Sequence, residues 1–292
     1  MAEQELKQRL TISVQKSGRL TDKSLDLLRR CGLNFEDPNG NEVLFSQVDN
    51  FPLDLYFDRE DDIPCNVALG RNDLGIVGRN KVIESGVKVR EIAQLGFAKC
   101  KLVIATPERI KSVDQLNGGR IATSYPNSTL SYLREKNVTA LIEERRGSVE
   151  TYVLRGCDGI VDLSSSGSTL RRFGLNPLDT LFESEAVVIT RDEIMEDPKS
   201  KAITEELLFR IDAVQNGERY RYIAMNIPSA LVDTMAEISH GLRAPTLQQL
   251  HDPEWMAMSM VVKACDVWPL TRLLKKGGAT GILVQKIEAV VF

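Results

Sequence analysis

The sequence predicts an α/β fold of two small lobes, followed by a C-terminal domain with a different order of elements. Short apolar runs in the first part of the chain are followed by glycine-rich, hydroxyl-rich or charged turns and then by helical stretches, which is typical of parallel α/β sheets. From Arg219 onward the order becomes β-α-β-β-α-β. A length of 292 residues leaves room for two or three such units.

The central stretch Asp158-Gly-Ile-Val-Asp162-Leu-Ser-Ser-Ser-Gly167-Ser-Thr169-Leu predicts a strand, a phosphate-binding loop and a helix. Its apolar residues form the short run expected of a buried parallel strand. The loop that follows contains only small or hydroxylated residues, which direct backbone N–H groups and hydroxyls towards a phosphate. A solvent-exposed Ser/Gly linker is the alternative interpretation. The apolar strand with acids at its tip favours the phosphate loop, and it places Asp162 where a ribose diol could bind.

The first lobe begins with a strand over Leu10–Val14 and a basic turn that contains Lys16 and Arg19. Thr21 is expected to cap the helix that follows, which Gly32 ends. A strand over Leu53–Phe57 runs into the charged segment 58–62, which suits either a sugar hydroxyl, a metal ion, a basic partner or a solvated loop. The basic turn is compatible with anion binding at the carboxyl end of the strand, and equally with a solvated surface.

We place a lobe boundary after residue 105, where Thr106-Pro107 is expected to break a strand over Lys99–Ala105. The first lobe then covers residues 1–105 and is completed by about 183–218. The second lobe covers 106–182 and contains the predicted phosphate loop. The C-terminal domain covers 219–292, and its order of elements is the ferredoxin-like arrangement, which favours a regulatory or oligomeric role because it lacks a ligand-ready loop.

Composition excludes several classes of function. The net charge of −4 argues against nucleic acid as a partner, and no apolar run is long enough to span a membrane. The five cysteines are scattered, as expected for reduced thiols in a cytoplasmic protein. His240 and His251 are the only histidines and have no metal-ligand spacing, which argues against a histidine-based zinc site or a Ser-His-Asp hydrolase.

Six motifs in order carry a resemblance to a known family. They are Gln15-Lys-Ser-Gly-Arg-Leu20, Asp61-Asp-Ile-Pro64, Asp73-Leu-Gly-Ile-Val-Gly78, Arg120-Ile-Ala-Thr-Ser-Tyr-Pro126, Gly147-Ser-Val-Glu150 and the central stretch. Together they resemble ATP phosphoribosyltransferase, the first enzyme of histidine biosynthesis. Arg243-Ala-Pro-Thr246 and the terminal domain resemble its long form, which carries a regulatory domain.

The resemblance implies a two-lobed periplasmic-binding-protein-like core with a ferredoxin-like regulatory domain. It implies that ATP and phosphoribosyl pyrophosphate (PRPP) condense to N1-(5-phosphoribosyl)-ATP and pyrophosphate, with Mg²⁺ as cofactor and histidine as feedback inhibitor. A cytoplasmic homo-oligomer, either a dimer or a hexamer, is implied as well.

The resemblance also implies roles for individual residues. Asp162 and Glu150 are the candidate catalytic residues, at the ribose and at the sugar or metal, and the metal ligands are otherwise not identified. The remaining candidates are, for the PRPP phosphate, Ser165, Ser166, Gly167, Ser168 and Thr169; for the nucleotide, Lys16, Gly18, Arg19, Arg59 and Tyr125; and for the effector, Asn226 and Thr246.

Three positions depart from the family pattern. Phe57 stands where the bacterial long form has an arginine, and Arg79 stands where the family usually has an acid. Asn226 replaces an acid that some long forms direct at the amino group of histidine.

Two alternatives stay open. A non-catalytic cytoplasmic small-molecule sensor on the same two-lobed fold would explain the lobes and the terminal domain, but not the convergence of a phosphate loop, an acid and basic turns. Another phosphoribosyltransferase, acting on a different base, would share the phosphate loop but not the Gln15–Leu20 motif.

Overall fold

The computed structural model describes residues 8–36, 43–165, 167–238, 241–242 and 244–292. Within these ranges the strands, in chain order, are β1 (Leu10–Gln15), β2 (Phe45–Gln47), β3 (Leu53–Asp58), β4 (Leu74–Gly78), β5 (Arg90–Gln94), β6 (Cys100–Pro107), β7 (Arg120–Thr123), β8 (Leu141–Glu144), β9 (Gly159–Ser164), β10 (Leu175–Ser184), β11 (Ala186–Thr190), β12 (Tyr220–Pro228), β13 (Thr246–Gln249), β14 (Trp255–Lys263) and β15 (Thr280–Lys286).

The α-helices of the same ranges are α1 (Thr21–Arg30), α2 (Ile63–Ala68), α3 (Arg79–Ser85), α4 (Pro126–Glu135), α5 (Ser168–Arg172), α6 (Asp192–Glu196), α7 (Pro198–Arg219), α8 (Val232–Ile238) and α9 (Val267–Lys276). Short 3₁₀ segments occur at Val113–Leu116, Val149–Arg155, Ser229–Leu231 and Ala264–Asp266. No helix in the described part of the chain is long and apolar enough to cross a membrane.

The chain divides into two compact units, one ending at Glu205 and one running from Glu206 to Phe292. The division falls inside α7, whereas the predicted domain began at Arg219, one residue before β12. Because α7 continues without a break across this point, the sequence pattern does not reveal where the first unit ends.

The first lobe is built on a sheet with the strand order β2-β3-β1-β4-β11-β5. Strands β3, β1 and β4 are parallel, and β11 is antiparallel to both β4 and β5. Strands β4 and β11 are buried at every residue, whereas β3 alternates between buried and partly exposed residues; Ile12, Leu55 and Ile76 are completely buried.

The second lobe is built on a sheet with the strand order β10-β6-β9-β7-β8. Strands β9, β7 and β8 are parallel, while β6 is antiparallel to both β9 and β10. Leu102 and Ile104 contribute to the core on one face of β6, and Val103 and Ala105 to the core on the other. This two-sided burial explains the continuous apolar run.

The predicted lobe boundary after residue 105 is wrong in its position, because the strand that was expected to close the first lobe belongs to the second sheet. β6 pairs with β9 and β10, so the chain leaves the first sheet between Gln94 and Cys100. It also continues through Thr106 to Pro107. The return to the first sheet lies between Ser184 and Ala186, and the predicted strand Phe182–Ile189 is the end of β10 together with β11.

The second unit contains an antiparallel sheet with the strand order β13-β14-β12-β15, the order of a ferredoxin-like β-α-β-β-α-β domain. One face of the sheet carries the core, which includes Ile223, Met225, Met258 and Met260 and packs with Leu270 of α9. The predicted α/β class and the predicted order of the terminal elements are confirmed.

The predicted helix cap at Thr21 differs from the one observed, and α4 is capped in an unusual way. Thr21 is the first helical residue rather than the cap, and its hydroxyl donates to the carbonyl oxygen of Gln15 at 3.0 Å. Asn127 and Ser128 lie inside α4, after Pro126, and their backbone N–H groups donate to Glu84 of the first lobe. The cap of α4 is therefore supplied from a distant part of the sequence.

Candidate active site

The parallel strands of the first sheet bring three turns to one edge. β1 ends at Gln15, β3 at Asp58 and β4 at Gly78, with Gln15 directly opposite Asp58 in the register. The basic turn after β1, the charged segment after β3 and the start of α3 therefore share the carboxyl edge, where α/β sheets bind ligands.

The side chain of Gln15 stabilises the conformation of the basic turn. Its side-chain oxygen accepts a hydrogen bond from the N–H of Leu20 at 3.1 Å. Gly18 has φ = +133°, and a Cβ there would overlap the Gln15 amide nitrogen. The turn therefore requires glycine at this position. It leaves Lys16 half-buried and Arg19 exposed.

The segment after β3 contributes Arg59, which is exposed, and Glu60, which is half-buried. The Gln15 amide donates to Glu60 at a long 3.4 Å. Burial raises the pKa of the Glu60 carboxyl, and the nearby cations Lys81 and Arg19 only partly oppose that effect. Lys81 forms its ion pair with Asp61, at 2.7 Å.

Asp162 lies on β9 near the carboxyl edge of the second sheet. Its Oδ1 accepts a hydrogen bond from the N–H of Leu163 at 2.7 Å. Burial and, to a lesser extent, the carboxylate of Glu150 raise the pKa of Asp162, to about 6. Arg19 and Lys81 of the first lobe lower it. The two basic groups of one lobe therefore act on the acid of the other.

Glu150 lies in the 3₁₀ segment Val149–Arg155 and is only 9% exposed. Asp162 and Glu150 are close enough to repel each other when both are ionised. They therefore form a pair of acids on the second-lobe side of the cleft.

The predicted phosphate loop follows β9 directly. The N–H of Gly167 donates to the hydroxyl of Ser164 at 3.1 Å, and Gly167 has the left-handed φ of +68° before α5 begins at Ser168. Ser165, Ser168 and Thr169 are exposed, so their hydroxyls are accessible. Ser166 lies outside the described residues. Because α5 spans only five residues, amides and hydroxyls contribute more here than a helix dipole.

Tyr125 is 4% exposed, and its environment is the junction of the two lobes. Its hydroxyl accepts a hydrogen bond from the side chain of Asn80 at 3.1 Å, and the Lys81 ammonium lies 5.0 Å from its ring centroid. Burial raises the pKa of the Tyr125 hydroxyl. In this conformation Tyr125 supports the cleft from within.

The departures at Phe57 and Arg79 both have local structural explanations. Phe57 is 3% exposed on β3, within the core of the first lobe. Arg79 binds both oxygens of Glu91 on β5, with Nε at 2.9 Å and Nη2 at 2.5 Å. The guanidinium is therefore engaged within the first lobe.

A cavity of about 330 Å³ lies where the chain crosses between the sheets, beside the predicted phosphate loop. It is lined by Arg79, Lys99, Cys100, Lys101, Ser164, Ser165, Glu183, Ser184 and Glu185.

The predicted effector residues lie on one face of the third sheet. Asn226 is opposite Ala257 and Thr246 is opposite Ser259, two residues further along β14. Both side chains are exposed, on the face opposite the core. Arg243, which begins the predicted effector motif, lies outside the described residues.

Residues that could hold a metal ion are sparse. No group of three or more His, Cys, Asp or Glu side chains suited to a metal occurs within the described ranges. One or two carboxylates together with substrate phosphates are the usual ligands of Mg²⁺. The acids Asp162 and Glu150 fit a metal of that kind.

Three residues of the lobe junction were not predicted from the sequence: Asn80, Lys81 and Glu84. Lys81 belongs to α3, which directly follows Gly78, the last residue of one of the six motifs. Asn80 and Glu84 are four residues apart on that helix, a spacing that would have marked a common face had α3 been predicted.

Comparison with known proteins shows which family the chain resembles. The ATP phosphoribosyltransferase (HisG) family model matches residues 59–213, and the HisG C-terminal domain matches residues 217–289. The ATP phosphoribosyltransferase of Cytophaga hutchinsonii is 42% identical over 285 residues, covering 97% of this chain and 98% of the relative. That of Parabacteroides distasonis is 37% identical, covering 97% and 99% respectively.

A solved structure shares the fold. The ATP phosphoribosyl transferase (HisG:HisZ) complex from Thermotoga maritima matches with a TM-score of 0.61 and 25% identity, over 69% of this chain and 98% of that chain. The expected fold class, a periplasmic-binding-protein-like core with a ferredoxin-like terminal domain, is confirmed.

The raised pKa of Asp162 predicts a pH-dependent cost to stability. Between the ordinary aspartate pKa near 4 and the folded value of about 6, the folded protein holds a proton that the unfolded chain has lost. The free energy of unfolding should therefore fall as pH rises through this window. Asp162→Asn should remove that loss, so its thermal midpoint should exceed that of the wild type at pH 7 but not at pH 4.

The measurement is a series of thermal unfolding curves from pH 4 to pH 8 for both proteins without ligands. Asp158→Asn is the matched control, since the Arg109 guanidinium lowers the pKa of Asp158. Removing the charge of the Asp158 carboxylate should therefore lower the thermal midpoint at pH 7. Equal midpoints for Asp162→Asn and wild type at every pH would contradict the prediction.

Proposed function

This chain belongs to the ATP phosphoribosyltransferase family, and we propose that the cleft between the two sheets of its first unit performs the family's reaction. In that reaction N1 of ATP attacks the anomeric carbon of PRPP, pyrophosphate leaves, and N1-(5-phosphoribosyl)-ATP forms as the first step of histidine biosynthesis. The family generally requires a divalent metal ion.

One observation carries the assignment to this cleft. Arg19 and Lys81 from the carboxyl edge of the first sheet lower the pKa of Asp162 on the second sheet, so the basic and acidic sides face each other. Two anionic substrates need cations, and the ribose of PRPP needs hydrogen-bond acceptors. This arrangement offers both across one cleft.

The PRPP side is the second lobe. Ser165, Gly167, Ser168 and Thr169, together with Ser166 outside the described residues, bind the 5-phosphate in our proposal. The positive φ of Gly167 brings the backbone close to that phosphate. Asp162 accepts hydrogen bonds from the ribose hydroxyls, and these bonds are strongest when its carboxylate is ionised.

The nucleotide side is the first lobe. Lys16, Arg19 and Arg59 bind the triphosphate, and Gly18 gives the backbone of the turn close access to it. Tyr125 stays a predicted nucleotide-binding residue. Its burial supports an indirect contribution, through the position of Lys81 against its ring.

Alignment and charge account for the rate in this mechanism. The N1 lone pair forms a bond to the anomeric carbon while the bond from that carbon to the pyrophosphate oxygen breaks, and the leaving group takes the electron pair. Holding the two substrates in line removes much of the entropic barrier. Mg²⁺, when bound with pyrophosphate, offsets the charge of the leaving group, and Glu150 is the residue we assign to hold it.

Histidine binding to the exposed face of the terminal sheet is proposed on the position of Asn226 and Thr246. Both lie on that face, and their register partners on β14, Ala257 and Ser259, are two residues apart. Two polar groups at this spacing can bind one small molecule. A homo-oligomer in the cytoplasm is proposed as well. The five cysteines are free thiols, as expected of a reducing compartment.

Pyrophosphate release should require ATP, PRPP and Mg²⁺ together. The purified chain is assayed for pyrophosphate with each component omitted in turn, and for the absorbance of the product. Binding of PRPP without release in the complete mixture would support the non-catalytic sensor instead.

Gly167→Ala should weaken PRPP binding, since it places a Cβ and a strained φ in the phosphate loop. Gly174→Ala is the matched control. It has φ = +65° at the other end of α5 with no atom near its Cβ, so it costs the same backbone strain, about 1–2 kcal/mol, away from the proposed site. Calorimetric titration with PRPP should show at least a tenfold loss for Gly167→Ala only. Equal affinity in both variants would remove the loop from the site.

Asn226→Asp should make histidine inhibit at a lower concentration, by about three- to tenfold, because a charge-assisted hydrogen bond to its ammonium group is roughly twice as strong as a neutral one. Gln285→Glu adds the same charge on β15 opposite Tyr222 and controls for net charge. Inhibition curves at fixed ATP and PRPP give the comparison. A shift of equal size in both variants would indicate a general charge effect and reject the assignment of Asn226.

A further inference from the structure

The N-terminus of α4 is capped by a carboxylate of the other lobe. The N-cap residue of α4 is Tyr125, which makes no side-chain cap of its own. Glu84 Oε1 accepts a hydrogen bond from the N–H of Asn127 at 2.8 Å, and Oε2 accepts from the N–H of Ser128 at 2.9 Å and from its hydroxyl at 2.6 Å. The Asn127 side chain returns a hydrogen bond to the Glu84 carbonyl oxygen at 3.0 Å.

These contacts continue a line that begins at the crossing between the lobes. The Ser184 hydroxyl accepts from the N–H of Asn80 and donates to its side-chain oxygen, each at 2.9 Å. The Asn80 amide then donates to the Tyr125 hydroxyl at 3.1 Å. Asn80 and Glu84 are separated by four residues, so one face of α3 makes both sets of contacts.

We propose that Glu84 is a positioning residue for the reaction, which fixes the angle between the two lobes before any substrate binds. We call the Glu84 contacts with Asn127 and Ser128 the inter-lobe clasp. The proposal rests on the proposed function, since it assumes that the cleft between the lobes is where ATP and PRPP meet.

The clasp suits this role for two reasons. A carboxylate that accepts several N–H and O–H groups at a helix N-terminus makes charge-assisted hydrogen bonds and interacts favourably with the positive end of the helix. It also ties α4, which directly follows β7 and Tyr125 at the cleft edge of the second sheet, to α3, which begins at the cleft edge of the first. A change of lobe angle that separates α3 from α4 breaks all of these bonds together.

The expected kinetic signature follows from a shift of populations. If the competent lobe angle is only partly populated, the apparent affinity for each substrate falls by the populated fraction, while a saturated enzyme is restored to that angle. Glu84→Ala should therefore raise the KM for ATP and the KM for PRPP by a similar factor, on the order of tenfold, with kcat changed by less than about twofold. Glu84→Gln keeps a side-chain oxygen and should lie between Glu84→Ala and wild type.

A simple loss of helix stability has to be separated from a loss of lobe positioning. Leu130→Gly is the matched control, because it weakens the middle of α4 at an exposed position and leaves Glu84, Asn127 and Ser128 unchanged. We expect it to lower thermal stability and to leave both KM values within about twofold of the wild type. If Glu84→Ala and Leu130→Gly give the same KM values, Glu84 only stabilises α4 and the proposal is wrong.

Amide hydrogen exchange tests the clasp without turnover. In the ligand-free full chain, Glu84→Ala should increase the exchange of Asn127 and Ser128 on the order of tenfold or more, and saturating PRPP with ATP should reverse most of that increase. Unchanged exchange, or a fall in kcat at unchanged KM, would overturn the proposal. If the wild type never releases pyrophosphate, the proposed function fails, and the exchange result still decides whether Glu84 holds the lobes.

Discussion

The pairing of β6 with β10 is the constraint on which the cleft depends. Cys100 and Ser184 are register partners, so the two places where the chain crosses between the sheets lie side by side. Backbone hydrogen bonds also join the crossings to each other and to the first sheet. The N–H of Ala186 donates to the carbonyl oxygen of Phe97 at 3.0 Å, and the N–H of Arg79 donates to the carbonyl oxygen of Glu185 at 2.9 Å. The start of α3 is thereby fixed to the crossing, and the carboxyl edges of the parallel strands face one cleft.

The fold could be predicted where burial determines the residue pattern. The middle of β6 and the first half of β9 are apolar and buried, and the sequence locates both strands correctly. What it cannot give is the sheet to which a buried strand belongs, since pairing partners are distant in sequence; this is why the lobe boundary was placed beyond β6. The first half of β10 was missed for a different reason. β10 lies at the edge of its sheet, where Pro177 and polar residues are tolerated, so it reads as a loop.

The site could be predicted as far as strand ends reveal it. Lys16, Arg19 and the loop to Thr169 follow strands directly, Asp162 lies near the end of one, and a ligand-binding interpretation needs only that order. Lys81 and Glu84 act through contacts with Tyr125 and Ser128, which are distant in sequence, and the sequence places neither of them at the cleft. The same limit applies to Tyr125. Its position after a strand is compatible with ligand contact, but only the structure shows that Asn80 and Lys81 already occupy its hydroxyl and its ring.

Charge in the cleft is arranged for ligands at a cost to the unliganded protein. Burial raises the pKa of both Glu60 and Asp162, and the cations Lys81 and Arg19 offset only part of that effect. A fold selected only for stability would replace such carboxylates or pair each with a cation, as Lys81 is paired with Asp61. Asp162 instead keeps a carboxylate oxygen available beside Glu150, where the repulsion between the two acids decreases once a cation or the hydroxyls of a sugar bind. In the proposed mechanism, ligand affinity in this cleft therefore derives partly from relief of electrostatic strain already present in the folded chain.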